Sequence, residues 1–222
     1  MPNGKERLRM KVFVIGSHGQ IGKLLVDLLV ARGDEVVAAI RDEKQAPEME
    51  ERGAAVQIFD LMSQPDEMAK AIGNADAVVF TAGSGGATGY DQTLMIDLDG
   101  AVKSMLASKI AGVTRFVLVS AMNSENPEKW TEEIKPYYVA KYFADNYLEN
   151  QTDLDYTIVK PGILTNEPGK GGVLIGEDHG SISRQDVAEV VAETLHHDNT
   201  IKKSFSVVEG AQPISEGISD IQ

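Results

Sequence analysis

The chain has 222 residues, 42% of them hydrophobic and 25% charged, which is ordinary globular usage and enough chain for one large domain. With no cysteine it excludes disulfides, thiolate metal sites and a cysteine nucleophile. Its 34 acidic against 21 basic side chains give a net charge of −13, which repels phosphate backbones and anionic membranes, so neither a nucleic-acid nor a membrane partner is expected.

In chain order, the opening MPNGKERLRMK runs straight into VFVIG without the apolar core of a signal peptide, and the setting expected is cytoplasmic. Apolar stretches such as 24–31 are interrupted by charge and fall short of the ~20 residues of a membrane helix. Strands are predicted at 11–15, 35–40, 55–59, 76–81, 115–119, 155–160 and 204–208. Most are continuous apolar runs, which suit parallel strands buried on both faces. Helices are predicted at 20–32, 43–52, 65–72, 92–111, 136–150 and 184–197. Within 92–111, Leu94, Ile96, Leu98, Val102, Met105, Leu106 and Ile110 recur at helical steps and predict the apolar face. Such alternation implies βαβ crossovers and an α/β fold with a doubly wound parallel sheet, in a single domain over 1–222. The irregular stretches 121–135 and 162–183 both follow strands, so they emerge at the carboxyl edge of the sheet, where ligands bind.

The first βα turn carries chemistry. Strand KVFVI is followed by Gly16-Ser17-His18-Gly19-Gln20-Ile21-Gly22 and then a helix. Gly16 permits the tight turn, Gly19 lets the backbone approach a pyrophosphate, and Gly22 allows close helix–strand packing. The free N–H groups of the helix start, Gln20 and Ile21 among them, face the anion. This is the Rossmann-type dinucleotide turn in its expected context. The first fifty residues are charge-balanced, eight against eight, so the acidic excess lies elsewhere. The second strand ends at Arg41-Asp42, about twenty residues on, where a carboxylate favours NAD and a cation favours the 2′-phosphate of NADP. Arg41, with Lys44 nearby and Ser17 and His18 as further donors, points to NADP; in the other reading Asp42 takes the ribose and Arg41 is a solvated surface residue. His18 reads equally well as a bystander. No metal site is expected, since His196 and His197 are adjacent and point apart on a helix.

A second constellation follows strand 115–119. Ser120 ends the strand, and Tyr137 and Lys141 stand four apart on a helix that Pro136 helps to start. Hydride reduction of a carbonyl leaves an oxygen that must be protonated, and a phenol can donate if a neighbouring ammonium lowers its pKa. The same ammonium suits ribose hydroxyls, and a serine at the strand end suits the substrate carbonyl. An amphipathic helix with a buried phenol would give the same spacing. Tyr138, three before Lys141, is the other phenol in reach, and Ser124 is the other serine. Trp130 reads as a lid residue or as the anchor of its loop.

With these pieces in order, the chain resembles the atypical branch of the short-chain dehydrogenase/reductase superfamily, epimerase/dehydratase-like or NmrA-like. The carriers are GSHGQIG (16–22), Arg41, Asp60-Leu61, TAGSGG (81–86), FVLVSA (116–121), YYVAK (137–141), TIVKPG (157–162) and SRQDVAEVV (183–191). The resemblance implies that Asp60 and Leu61 flank an adenine and that Thr81, Ala82 and Gly83 line its ribose. It also implies that Pro161, Gly162 and Ile163 meet the nicotinamide carboxamide, while Ser120, Tyr137 and Lys141 contact the cofactor as well as the reaction. Two positions depart from the branch: Met122 stands where a catalytic Ser or Thr is usual, and Asp97 where Asn is common in the middle helix. The chain also lacks the roughly hundred-residue substrate lobe of extended epimerases. The implied function is NADP-dependent reduction of a small carbonyl, flavin-like or conjugated substrate by a monomer or homodimer. A dinucleotide-binding sensor without turnover is the alternative, and a sugar-nucleotide epimerase or dehydratase the third.

Overall fold

A strand that is apolar on both faces has to be covered on both, and the chain does this with a nine-stranded sheet between two helical layers. The computed structural model describes residues 9–85 and 88–222; the first eight residues of the opening segment and Gly86 of TAGSGG lie outside it. The strands are β1 (Lys11–Ile15), β2 (Glu35–Ile40), β3 (Ala55–Ile58), β4 (Ala77–Phe80), β5 (Arg115–Val119), β6 (Asp155–Pro161), β7 (Ile163–Thr165), β8 (Gly172–Ile175), β9 (Ser181–Ser183), β10 (Lys203–Glu209) and β11 (Gln212–Pro213). Their order in the main sheet is β3-β2-β1-β4-β5-β6-β10-β8-β11. Everything from β3 to β10 is parallel; β8 and β11 add an antiparallel edge. The order reverses between β1 and β4, which puts the cleft at their carboxyl ends.

The helices are α1 (Gln20–Ala31), α2 (Ala46–Glu51), α3 (Pro65–Ile72), α4 (Tyr90–Gln92), α5 (Ala101–Ala111), α6 (Lys135–Gln151), α7 (Arg184–Leu195) and α8 (Ile214–Ser219), with a π-helical segment (Thr93–Gly100) between α4 and α5. Alternate residues of each strand serve opposite layers. Val12 and Val14 face α1 and α7, whereas Phe13 and Ile15 face the side of α3, α5 and α6. Among the described residues no helix is long and apolar enough to cross a membrane.

Two expectations need correction. The 92–111 stretch is not one α-helix, and its buried face is not the apolar stripe. The buried positions are Thr93, Asp97, Gly100, Ala101, Ser104, Met105, Ala107 and Ser108, while Leu94 and Ile110 are more than half exposed. Small residues face inward because the neighbouring elements come close: a Cβ on Gly100 would stand 3.3 Å from the Leu61 side chain. The 162–183 stretch, read as a loop, holds β7, β8 and β9. Strands of three or four residues between glycines are too short to show a period.

Candidate dinucleotide site and catalytic cluster

β1 hands directly to the glycine turn, and the turn is closed by the Gly19 N–H donating to the Gly16 carbonyl at 2.9 Å. Gly16 has φ +84°, and a Cβ there would meet the Ala82 backbone nitrogen at 2.6 Å. A Cβ on Gly22 would stand 2.1 Å from the Gly16 carbonyl oxygen. The turn is thus as tight as backbone allows, pressed against the start of the β4 loop. Gly19 caps α1 without a side chain, and no acid stands in the first turn, so the helix-start amides of Gln20, Ile21 and Gly22 remain open to an anion. The Ser17 hydroxyl is not one of the donors: it is buried and donates to the Ala39 carbonyl at 2.8 Å. The His18 ring bonds Glu48 at 2.8 Å and faces Gln45 at 3.3 Å, tying the turn to α2. Lys23 joins the same carboxylate, and with Arg52 and His18 it holds Glu48 down at about 2 despite some desolvation.

At the end of β2 the two candidate ribose residues behave differently. The Asp42 carboxylate accepts from the Lys44 backbone N–H at 2.9 Å and caps the following turn. The Arg41 guanidinium and the Lys44 ammonium are exposed, and neither has a partner among the described residues.

The catalytic candidates come from β5 and α6. Lys141 lies almost fully buried, with its Nζ 3.2 Å from Asp97, 3.3 Å from the Val119 carbonyl and 5.5 Å from the Tyr137 ring centre. Tyr138 points elsewhere: its ring stacks on Trp130 at 5.9 Å and 4°. Trp130 also donates to the Asn123 carbonyl at 2.9 Å, so it anchors its loop to α6. That loop is clasped to the 177–180 turn, where Lys129 pairs with Asp178 and the Asn123 amide donates to the Asp178 carbonyl at 3.0 Å. Asp97 also accepts from the Ser84 backbone N–H at 3.0 Å, which links the β4 loop to Lys141.

The expected lowering of the tyrosine does not occur. Burial raises the Tyr137 phenol, and Asp97 and Asp145 add to that, against the pull of Lys141. Burial works against the Lys141 charge, but Tyr137 and Asp97 outweigh it and hold the ammonium above its ordinary value. Ser120 also departs from its expected role. Its hydroxyl donates to Asp145 at 2.8 Å, and Ser124 donates to the same oxygen at 2.7 Å. Lys160 stands 3.6 Å from that oxygen and 2.9 Å from Glu125. Sequence reasoning missed Asp145, Lys160 and Glu125. The available signals were Asp145 one helical repeat beyond Lys141, and a lysine within the apolar run of β6.

The site of a dinucleotide on such a sheet is the cleft just described, and a family model described as NAD(P)H-binding matches residues 16–198. The chain belongs to the NAD(P)H-binding family. Its standing within the atypical short-chain dehydrogenase/reductase group, with epimerase-like neighbours, agrees with the sheet order. A Bacillus subtilis (strain 168) protein named "uncharacterized sugar epimerase YhfK" is 47% identical over 215 residues, covering 96% of this chain and 100% of that protein. The oxidoreductase ylbE of Lactococcus lactis superposes with a TM-score of 0.89 at 38% identity over 96% of each chain. ChuY, an anaerobillin reductase of Escherichia coli O157:H7, superposes at 0.77 with 22% identity, over 91% of this chain and 99% of that one, a likeness of fold alone.

As an NAD(P)H-binding chain it fits its cofactor at the turn, where the absence of side chains at Gly16 and Gly22 lets backbone pack on backbone and starts α1 with no side-chain cap and no acid against a pyrophosphate. The residues that the family resemblance implied lie along the same edge. Asp60 and Leu61 follow β3, Thr81 to Gly83 follow β4, and Pro161 ends β6 with Gly162 leading to Ile163 at the start of β7. Asp60 is engaged locally, accepting from the Met62 N–H at 2.9 Å, and the Thr81 hydroxyl donates to the Ile15 carbonyl at 3.0 Å. Gly162 is held by the Val207 carbonyl and faces the Gly180 carbonyl at a distance no side chain tolerates, while Ile163 is 75% exposed at the mouth.

Proposed function

We propose that the chain is an NADP-dependent oxidoreductase acting on small carbonyl, flavin-like or conjugated substrates, with Tyr137 as acid/base and Lys141 as its charge partner. The observation that carries this reading is the buried Lys141 ammonium set against Tyr137 at the carboxyl edge, in the same cleft as the glycine turn. When bound, the nicotinamide supplies or accepts the hydride. The chain's own share is proton handling and positioning. The Tyr137 phenol carries a proton to give to an oxygen that gains charge, and Lys141 offsets the phenolate left behind. Arg41 and Lys44, just past β2 and without side-chain partners among the described residues, support a 2′-phosphate, which a guanidinium recognises with paired donors. The 162–183 segment, with strands of three or four residues, offers little to grip a nucleotide sugar, and the fold neighbour that reduces anaerobillin suggests flat conjugated compounds as the first to try.

The test combines NADPH and NADH binding with turnover of a carbonyl and flavin panel. Arg41→Ala is expected to weaken NADPH about tenfold or more and to leave NADH nearly unchanged. Tyr137→Phe is expected to cut turnover at least about 100-fold with cofactor affinity within about twofold. An unmoved NADPH-to-NADH ratio overturns the cofactor assignment. Tight binding with no turnover in the unmodified protein makes it a dinucleotide sensor. The name of the Bacillus subtilis relative favours a second reading, epimerisation, and interconversion of a nucleotide sugar without net NADPH oxidation would put it first.

A further inference from the structure

Ser120 directly follows β5, one residue after the carbonyl that Lys141 bonds, which places it beside the Tyr137–Lys141 pair. A serine hydroxyl has one proton and two lone pairs. The Ser120 proton is committed to Asp145 Oδ2, and Ser124 donates to the same oxygen at 2.7 Å with Glu125 as a second, longer acceptor at 3.3 Å. We infer that Asp145 is a positioning residue that turns Ser120 into a hydrogen-bond acceptor, so that the substrate group resting on it is a donor: the hydroxyl or N–H of the reduced compound, not the carbonyl of the oxidised one. This rests on the oxidoreductase reading and divides the labour there. Tyr137 alone offers an O–H to the carbonyl, and Ser120 receives the hydroxyl that reduction creates.

The surroundings hold Asp145 in place for this. Lys160 on β6 lies 3.6 Å from the accepting oxygen and also binds Glu125 of the loop; Lys141 and Tyr137 approach from its own helix, and Asp97 from the π-helical segment lies beyond Lys141. The second carboxylate oxygen is buried and has no partner among the described residues, so Ser120 meets Asp145 through Oδ2 alone. With two hydroxyls and a lysine on one oxygen, a rotated Ser120 would leave a buried charge short of a donor.

Two measurements test the inference, the first needing neither cofactor nor turnover. Carbon-13 carboxyl NMR titration of Asp145 is run on the unmodified protein, Ser120→Ala and Ser124→Ala. A donor to the ionised form lowers a carboxyl pKa, so each variant is expected to raise the Asp145 midpoint by about half a unit or more. An unmoved midpoint in Ser120→Ala overturns the inference. In the second, the NADP-loaded protein is assayed with 1-phenylethanol and with acetophenone plus NADPH. Ser120→Ala is expected to raise KM for the alcohol about fivefold to tenfold, one hydrogen bond's worth, and to leave the ketone within about twofold. Equal losses, or a larger loss for the ketone, overturn it. A raised midpoint in a protein that turns over neither these probes nor any member of the carbonyl and flavin panel supports the hold of Asp145 on Ser120 and refutes the oxidoreductase reading instead.

Discussion

Asp145 is a carboxyl whose buried environment opposes its charge. Burial pushes its carboxyl up to about 6, and Lys160, Ser120 and Ser124 pull the other way without cancelling it. A carboxyl raised in the folded state above its unfolded value of about 4 holds its proton more tightly when folded. Its contribution to stability is therefore complete below about pH 4 and is lost as pH rises through about 6. The stability of the unmodified protein minus that of Asp145→Asn is expected to fall by on the order of 2–3 kcal/mol between pH 4 and pH 7, measured by urea unfolding at each pH. A flat difference would show that Asp145 titrates as an ordinary carboxyl. None of this was legible in the sequence. Tyr137 and Lys141 were found because four-residue spacing fixes a shared helix face, but the direction in which Tyr137 shifts depends on how deeply it is buried and on which carboxylates come near. Those facts arise from β5, the π-helical segment and α6 meeting in space.

At the scale of elements, the glycine turn and the helix it starts act as one unit. Gly22 lies on the buried side of α1, and an added methyl would collide with backbone, which has no rotamer to move aside. Gly22→Ala is expected to destabilise the protein by about 1–3 kcal/mol and to weaken NADPH at least about tenfold, because the turn must open to admit it. Gly33 serves as the control. It has φ +90° but open space around it, so Gly33→Ala costs about 1–2 kcal/mol of backbone strain and leaves NADPH affinity unchanged. Thermal melts and fluorescence titration of both variants separate the two effects. This turn was fully legible, since three glycines between a strand and a helix have one economical explanation. The π-helical segment was not. The apolar spacing of 92–111 fits an ordinary helix, and only close packing against Leu61 and the demand to turn Asp97 inward rotate that face, leaving Leu94 outside.

Across the whole molecule, the sheet separates its tasks between its two edges. The carboxyl edge carries the cleft, and the amino edge carries a buried arginine. Arg115, at the start of β5, donates to the Asp155 carbonyl and Thr157 hydroxyl at 2.8 Å, to the Thr194 carbonyl at 2.7 Å and to the Thr200 hydroxyl at 3.0 Å. Burial draws it down to about 10, yet it stays charged and fastens β5, β6 and the end of α7 together. Arg115→Met leaves those acceptors buried without a donor, and a loss of about 2–4 kcal/mol is expected with NADPH affinity intact. A loss of affinity in the folded variant would mean that the two edges are coupled.

The sequence by itself determined the alternation of strands and helices that makes a doubly wound parallel sheet, the dinucleotide turn and the Tyr-Lys pair, because each is written in local spacing: apolar runs, glycine intervals, a four-residue repeat. The antiparallel edge of β8 and β11, the hold of Asp97 on Lys141 and the convergence of Ser120, Ser124 and Lys160 on Asp145 were decided by tertiary structure alone. Each joins residues far apart in the chain, and a buried charge finds its partner by position in space, which no local period records.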